Sequence, residues 1–319
     1  MTGAPVNRNA SALALGAVAG LAAAAQAALN GVLASTLHSA LLAALVNNLI
    51  GLVIVAGALA SPAVRAALRR LVGSGLPWWA YLGGLGGAAF VAGAAYAVPV
   101  LGVALFAVAQ IAGMTAGAVA VDRTAVGPAG ALPVTWQRLV GAGIGLLAVV
   151  VSQFGRLSGD LALGALVLVM VVSAGTCLQV ALNARVTVAS GSASVATLVN
   201  FVVATPPMAV ALVGGWPGGG RWPDHWWVYL GGVCGVVIVA GTVVAGRVIG
   251  VLRSSLALTA GQLAGALVID GLLPGGVGLS PWLLVGALLT VVAVAVAGYR
   301  GRPVAAPTPV AAVTADAER

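Results

Sequence analysis

The sequence predicts an all-α polytopic membrane protein, and three observations predict it. Of 319 residues, 61% are apolar and only 6% are Asp, Glu, Lys or Arg, against roughly 25% charged in an ordinary soluble domain. The mean hydropathy is +1.13. It is carried by long apolar runs rather than by period-2 alternation, which excludes both a soluble globular protein and an outer-membrane barrel. Gly supplies 46 residues, about twice its usual ~7% share, as suits transmembrane helices whose backbones pack closely through small residues.

A span needs about 20 apolar residues, and dividing the chain at its Arg, Pro and Gly clusters gives ten. They cover residues 12–33, 40–60, 78–97, 103–121, 134–152, 161–184, 193–215, 226–245, 254–270 and 280–298. The apolar stretch after residue 11 is too long for a cleaved signal peptide, so residues 1–11 read as a cytoplasmic N-terminus. Residues 153–160 read as an external linker. Residues 299–319, with Pro303, Pro307 and Pro309 among small residues, read as a disordered cytoplasmic tail.

An even number of spans puts both termini on one side. All fourteen basic residues are Arg, and twelve fall on the side of the termini, leaving only Arg156 and Arg221 opposite. Basic residues concentrate in cytoplasmic loops, so both termini are expected in the cytoplasm of a plasma (inner) membrane protein. The net charge of +8 thereby reflects topology, not a patch for nucleic acid. Cys177 and Cys234 lie inside apolar runs and support neither a disulfide framework nor a zinc site.

The strongest signal is an internal duplication. Gln26, Asn30 and Asn47 recur 153 residues later as Gln179, Asn183 and Asn200. From the third span the offset is 148: Trp78, Trp79, Tyr81, Leu82, Gly83, Gly84 and Gly87 recur as Trp226, Trp227, Tyr229, Leu230, Gly231, Gly232 and Gly235. Gly102, Gly113, Gly117 and Asp122 likewise meet Gly250, Gly261, Gly265 and Asp270. The repeats are residues 12–152 and 161–298. Five spans per repeat is an odd number, so the second copy enters the membrane from the opposite side and the repeats are inverted (5+5), an arrangement suited to alternating access.

A Gln-x-x-x-Asn pair in the first span, an Asn in the second, Pro-Trp-Trp-x-x-Leu-Gly-Gly opening the third, and Ala-Gly-Gln with a following Asp in the fourth resemble the five-helix inner-membrane exporter family of the drug/metabolite transporter (DMT) superfamily. The chain looks like two such copies fused head to tail. The resemblance implies a ten-helix transporter, a central cavity lined by the first four helices of each half, and efflux of small metabolites or drugs. One departure matters: the family's Gln is kept at Gln262 but is Met114 in the first copy.

Gln26 and Asn30 are four apart and share a helical face, as do Gln179 and Asn183. With Asn47, Asn200 and Gln262 they are candidate substrate-binding residues, forming one cluster of neutral donors and acceptors near the pseudo-twofold axis. The alternative is interhelical glue, a common role for buried amides. Asn48 and Gln110 have no match in the other copy and read as packing. Asp122 and Asp270 end the fourth span of each copy, as interfacial anchors, gate contacts or proton-coupling groups; Asp122 also lies beside Arg123. The glycines at four-residue spacing read as close helix contacts, and the paired tryptophans as interfacial belts rather than a cation cage. His38 and His225 fall in external loops.

No nucleophile, base and acid converge at one depth, so neither an enzyme nor a cofactor nor a bound metal is expected. The partners expected are the lipid bilayer, a small polar, zwitterionic or amphipathic solute and protons. A monomer suffices because the duplication supplies both halves. A channel or passive facilitator is the alternative.

Overall fold

Ser39, Gly102 and Gly191 mark turns between successive helices in a computed structural model that describes residues 8–128, 135–152, 154, 160–213, 219–249, 251–272 and 279–298. Every regular element among these residues is helical. Helix α1 (Arg8–Leu37) ends at a turn where Ser39 Oγ accepts a hydrogen bond from Leu42 N at 3.1 Å and caps α2 (Ala40–Ala56). A short α3 (Pro62–Val72) begins on Pro62, whose missing N–H costs nothing in a first turn. After a 3₁₀ turn at Trp78–Leu82 comes α4 (Gly83–Leu101), and Gly102, at φ 77°, turns the chain directly into α5 (Val103–Asp122). Then follow α6 (Trp136–Ser152), α7 (Asp160–Ser190) and α8 (Ala193–Val213). A second 3₁₀ turn at Trp226–Leu230 leads into α9 (Gly231–Ile249), α10 (Val251–Leu272) and α11 (Pro281–Gly298).

Eight of these helical stretches are long and apolar enough to cross a membrane; Trp136–Ser152 and Trp226–Thr242 are apolar but shorter. The chain is therefore a multi-pass helical membrane protein. Helices α1 and α7 continue to Leu37 and Ser190, past the limits of 33 and 184 expected from apolar length, so Asn30 and Asn183 lie well inside their helices. Residues 1–7, nearly all of the 153–160 linker and the 299–319 tail lie outside the described residues.

Helix α3 is the one element between the second and third spans that division into apolar runs passes over. It buries Ala67 and Leu71 against Val186, Val195 and Ala196, while Arg70 Nε donates to Ser190 O at 3.0 Å. Four-residue spacing of Ala67 and Leu71 puts them on one stripe, but eleven residues with three arginines fall below any span threshold.

The packing interleaves the two repeats. Helix α1 lies along α9 and α10, and its counterpart α7 lies along α4 and α5. Three helices touch their own counterparts: α2 with α8, α5 with α10, and α6 with α11. Each of these pairs is antiparallel. Asn48 meets Thr205 while Gly51 meets Phe201; Ala104 meets Asp270 while Gln110 meets Gln262; and Gly141 meets Ala297 while Ser152 meets Gly286. The largest core cluster is built on α5 and the last turns of α4, around Phe106, Val108 and Leu101, with residues of α1, α6, α7, α10 and α11 packed on it.

Candidate functional site: three sets of intramembrane amides

The seven amides do not converge in one place; the structure sorts them into three sets. Asn183 Nδ2 and Gln179 Nε2 both donate to Asn200 Oδ1, each at 3.0 Å. This triad packs on the first turns of α4. A Cβ added at Gly83 would come within 2.6 Å of Asn183 Oδ1, and one at Gly87 within 2.9 Å of Gln179 Nε2. Only glycine lets the helix approach this closely.

The matching triad repeats the arrangement at the opposite end of the bundle. A Cβ at Gly231, opening α9, would lie 2.6 Å from Asn47 Oδ1 and 2.7 Å from Asn30 Oδ1, and one at Gly235 would lie 3.1 Å from Gln26 Nε2. The polar bonding differs, however. Asn30 and Asn47 are each 4% exposed, and Asn47 Oδ1 finds no donor among the described residues. Its counterpart Asn200 Oδ1 accepts two hydrogen bonds, and Gln179, Asn183 and Asn200 are only part-buried.

The third set is a pair between helix counterparts. Gln262 Nε2 donates to Gln110 Oε1 at 2.7 Å across the α5–α10 crossing. Gln262 is buried and Gln110 half-buried. Gln110, which reads as packing for want of a match in the other copy, supplies one turn earlier the amide lost at Met114. That partner is legible only once α5 and α10 are known to be antiparallel. Asn48, which also reads as packing, donates to Phe201 O at 3.2 Å and Thr205 Oγ1 at 2.7 Å, tying α2 to α8.

The two acids part company. Asp270 is 5% exposed, and its carboxylate oxygens accept hydrogen bonds from Val103 N at 2.9 Å and Ala104 N at 2.8 Å. It is a buried cap on α5 instead of a solvated anchor, because the Gly102 turn aims the orphan amides of the next helix at it. Asp122 stays partly exposed and pairs with Arg138, not with adjacent Arg123.

Trp78 and Trp226 are largely exposed at the ends of their spans, as interfacial indoles are. Trp79 does hold a cation: the Arg185 guanidinium lies 5.1 Å from its ring centroid, and Arg185 also donates to Ala125 O and Val126 O. Trp79 also lines a mostly apolar crevice of about 350 Å³ between α4 and α7, with Gln179 in its wall. His38 and His225 are exposed. His225 stacks on Trp227 at 5.8 Å, and the described residues contain no group of three His, Cys, Asp or Glu placed to hold a metal.

No curated protein matches the chain. A family model described as "Putative inner membrane exporter, YdcZ" matches it twice, over residues 11–151 and 165–296. Those two segments reproduce the repeat boundaries, and together they span well over half of the sequence. The chain therefore belongs to this family of inner-membrane exporters, with two copies of the family's unit in one polypeptide.

Proposed function

We propose that the protein is a secondary transporter that exports a small polar, zwitterionic or amphipathic solute by alternating access. In this reading ten helices cross the membrane as two inverted sets of five, both termini are cytoplasmic, one chain supplies both halves, and a solute or ion gradient drives any uphill step. The observation that carries it is the pairwise correspondence of contacts between the halves. Gly83 on Asn183 answers Gly231 on Asn30, Gly87 on Gln179 answers Gly235 on Gln26, and Gly113 on Met170 answers Gly261 on Ala17. Helices that touch their own counterparts run antiparallel to them, which favours inversion.

Within this scheme the Gln110–Gln262 pair is the solute contact. It sits where the two halves meet, carries donors and acceptors without charge, and has one half-exposed member. The triads Gln26–Asn30–Asn47 and Gln179–Asn183–Asn200 join the halves. Counterflow in proteoliposomes against amino acids, nucleosides, sugars and cationic drugs tests the proposal. A carrier gives saturable counterflow with at least one class; flux that never saturates, or none with any class, contradicts it. Gln110→Ala is expected to weaken solute affinity by roughly tenfold or somewhat less, the value of one uncharged hydrogen bond, without altering the elution of the solubilised protein.

A further inference from the structure

The packing of the two halves differs most at one place. Helix α4 packs on α1 and α2 of its own half as well as on α7 and α8. Its outer turns close on the end of α1: a Cβ at Gly31 would come within 2.7 Å of Val98 Cγ1, and Ala27 and Ala94 are 6% and 3% exposed. The counterpart of this interface would join α9 to α7 and α8. Among the described residues α9 makes no packed interface with either. Val180, the counterpart of Ala27, is 62% exposed, and Thr242, the counterpart of Ala94, is exposed with its hydroxyl bonded back to Ile238 O. Gly241 packs on Leu15 and Ala19, so this gap lies at the end of the bundle where α1 begins. The bundle is shut at one end and parted at the other; all three amides at the parted end are part-buried, whereas Asn30 and Asn47 at the shut end are buried.

We infer that α1–α4 and α7–α9 are two gates that close in turn, and that unequal side chains at equivalent positions set which one rests open. Ala27, Ala34 and Ala94 at the shut gate correspond to Val180, Thr187 and Thr242 at the parted one. Val180 carries two methyl groups more than Ala27, and Thr242 a methyl and a hydroxyl more than Ala94. Small residues let helices meet at backbone distance, and the extra atoms at the second gate oppose that approach. The resting state is therefore open at the end of the termini, where a cytoplasmic solute enters. This inference rests on the carrier reading for its purpose but not for its geometry.

Cysteine accessibility tests it in membrane vesicles of both orientations, in a Cys177→Ala, Cys234→Ala background. With a hydrophilic maleimide, Thr242→Cys should react from the side of the termini about tenfold faster than Ala27→Cys reacts from either side. Adding Val180→Ala with Thr187→Ala should slow the Thr242→Cys reaction and speed that of Ala27→Cys, because the second gate now closes as readily as the first. Val180→Leu, which keeps an apolar side chain, should shift both rates the other way, and it decides the question if the double alanine variant does not fold. A Thr242→Cys that is inert from both sides, or rates that neither set of gate substitutions changes, overturns the inference. Loss of counterflow with the labelling pattern intact contradicts the carrier reading instead and leaves the two gates standing.

Discussion

His38 is held at φ 51°, and among the described residues it is the one non-glycine with positive φ. Its counterpart in the second repeat is Gly191, at φ 71°. Both end the first helix of their half one residue before a serine, Ser39 or Ser192, and each serine's Oγ accepts a hydrogen bond three residues on, from Leu42 N or Val195 N. The turn is thus the same turn twice, and glycine fits it where a side chain is strained, by about 1–2 kcal/mol. His38→Gly should raise the unfolding midpoint of the solubilised protein, with a gain of about 1 kcal/mol once the greater freedom of glycine in the unfolded chain is deducted. A lower midpoint would show that the imidazole makes a contact worth more than the strain. Asp270 and Asp122 give a second contrast at this scale. Asp270→Ala removes both acceptors from buried Val103 N and Ala104 N and should cost about 2 kcal/mol or more. Asp122→Ala breaks a part-exposed pair with Arg138 and should cost under about 1 kcal/mol. Equal losses in chemical denaturation would refute the assignment of Asp270 as a cap. The sequence shows that these acids correspond, but not that one is buried: burial follows from the Gly102 turn, which brings the start of α5 to the end of α10.

At the scale of elements, the glycine faces of α4 and α9 determine where the amides go. The four-residue spacing of Gly83 and Gly87, and of Gly231 and Gly235, reads correctly as a close-contact face. Which helix it faces depends on the interleaving of the repeats, and no periodicity within one helix carries that information. This is why the amides, each paired with its counterpart by the repeat, are expected in one cluster and yet form three sets. Asn30 meets the start of α9 and Asn183 the start of α4, at opposite ends of the bundle. Gly231→Ala would push a methyl group to within 2.6–2.7 Å of Asn47 Oδ1 and Asn30 Oδ1 and should destabilise by about 1–3 kcal/mol, the usual cost of overpacking. If thermal unfolding shows no loss, the α1–α9 contact has room for a methyl group at Gly231. Asn200→Ala should lower stability similarly, because Gln179 and Asn183 would both lose their acceptor, while leaving solute affinity unchanged. A selective loss of affinity would instead place the triad in the solute site.

At the scale of the whole molecule, composition fixes the class and the duplication fixes most of the architecture, since every helix after the first six is announced by its counterpart. Most helix ends follow the expected limits, but α1, α4 and α9 each run four residues past theirs and α7 runs six; the last turns of α1 and α7 are supported by packing on α9 and α4 rather than by apolar length alone. What a sequence repeat cannot express is any difference between its copies in space. The orphan acceptor at Asn47 against the doubly bonded one at Asn200, the buried cap at Asp270 against the partly exposed Asp122, and the shut α1–α4 contact against the parted α7–α9 surfaces all distinguish one end of the bundle from the other. Two like halves in unlike arrangements are what an alternating-access carrier requires, provided that the halves are inverted across the membrane.

That proviso is open to one direct measurement. The α1–α2 turn and the α7–α8 turn are counterparts, with His38 exposed in the first and Ser194 exposed in the first turn of α8, directly after the second. In the Cys177→Ala, Cys234→Ala background, His38→Cys and Ser194→Cys are each treated with a membrane-impermeant maleimide, first in intact cells and then in inverted vesicles. Inverted repeats predict that His38→Cys is labelled only from outside and Ser194→Cys only from inside. Labelling of both from the same side would mean that the two halves enter the membrane in the same direction, and the exchange of equivalent conformations between them would then be impossible.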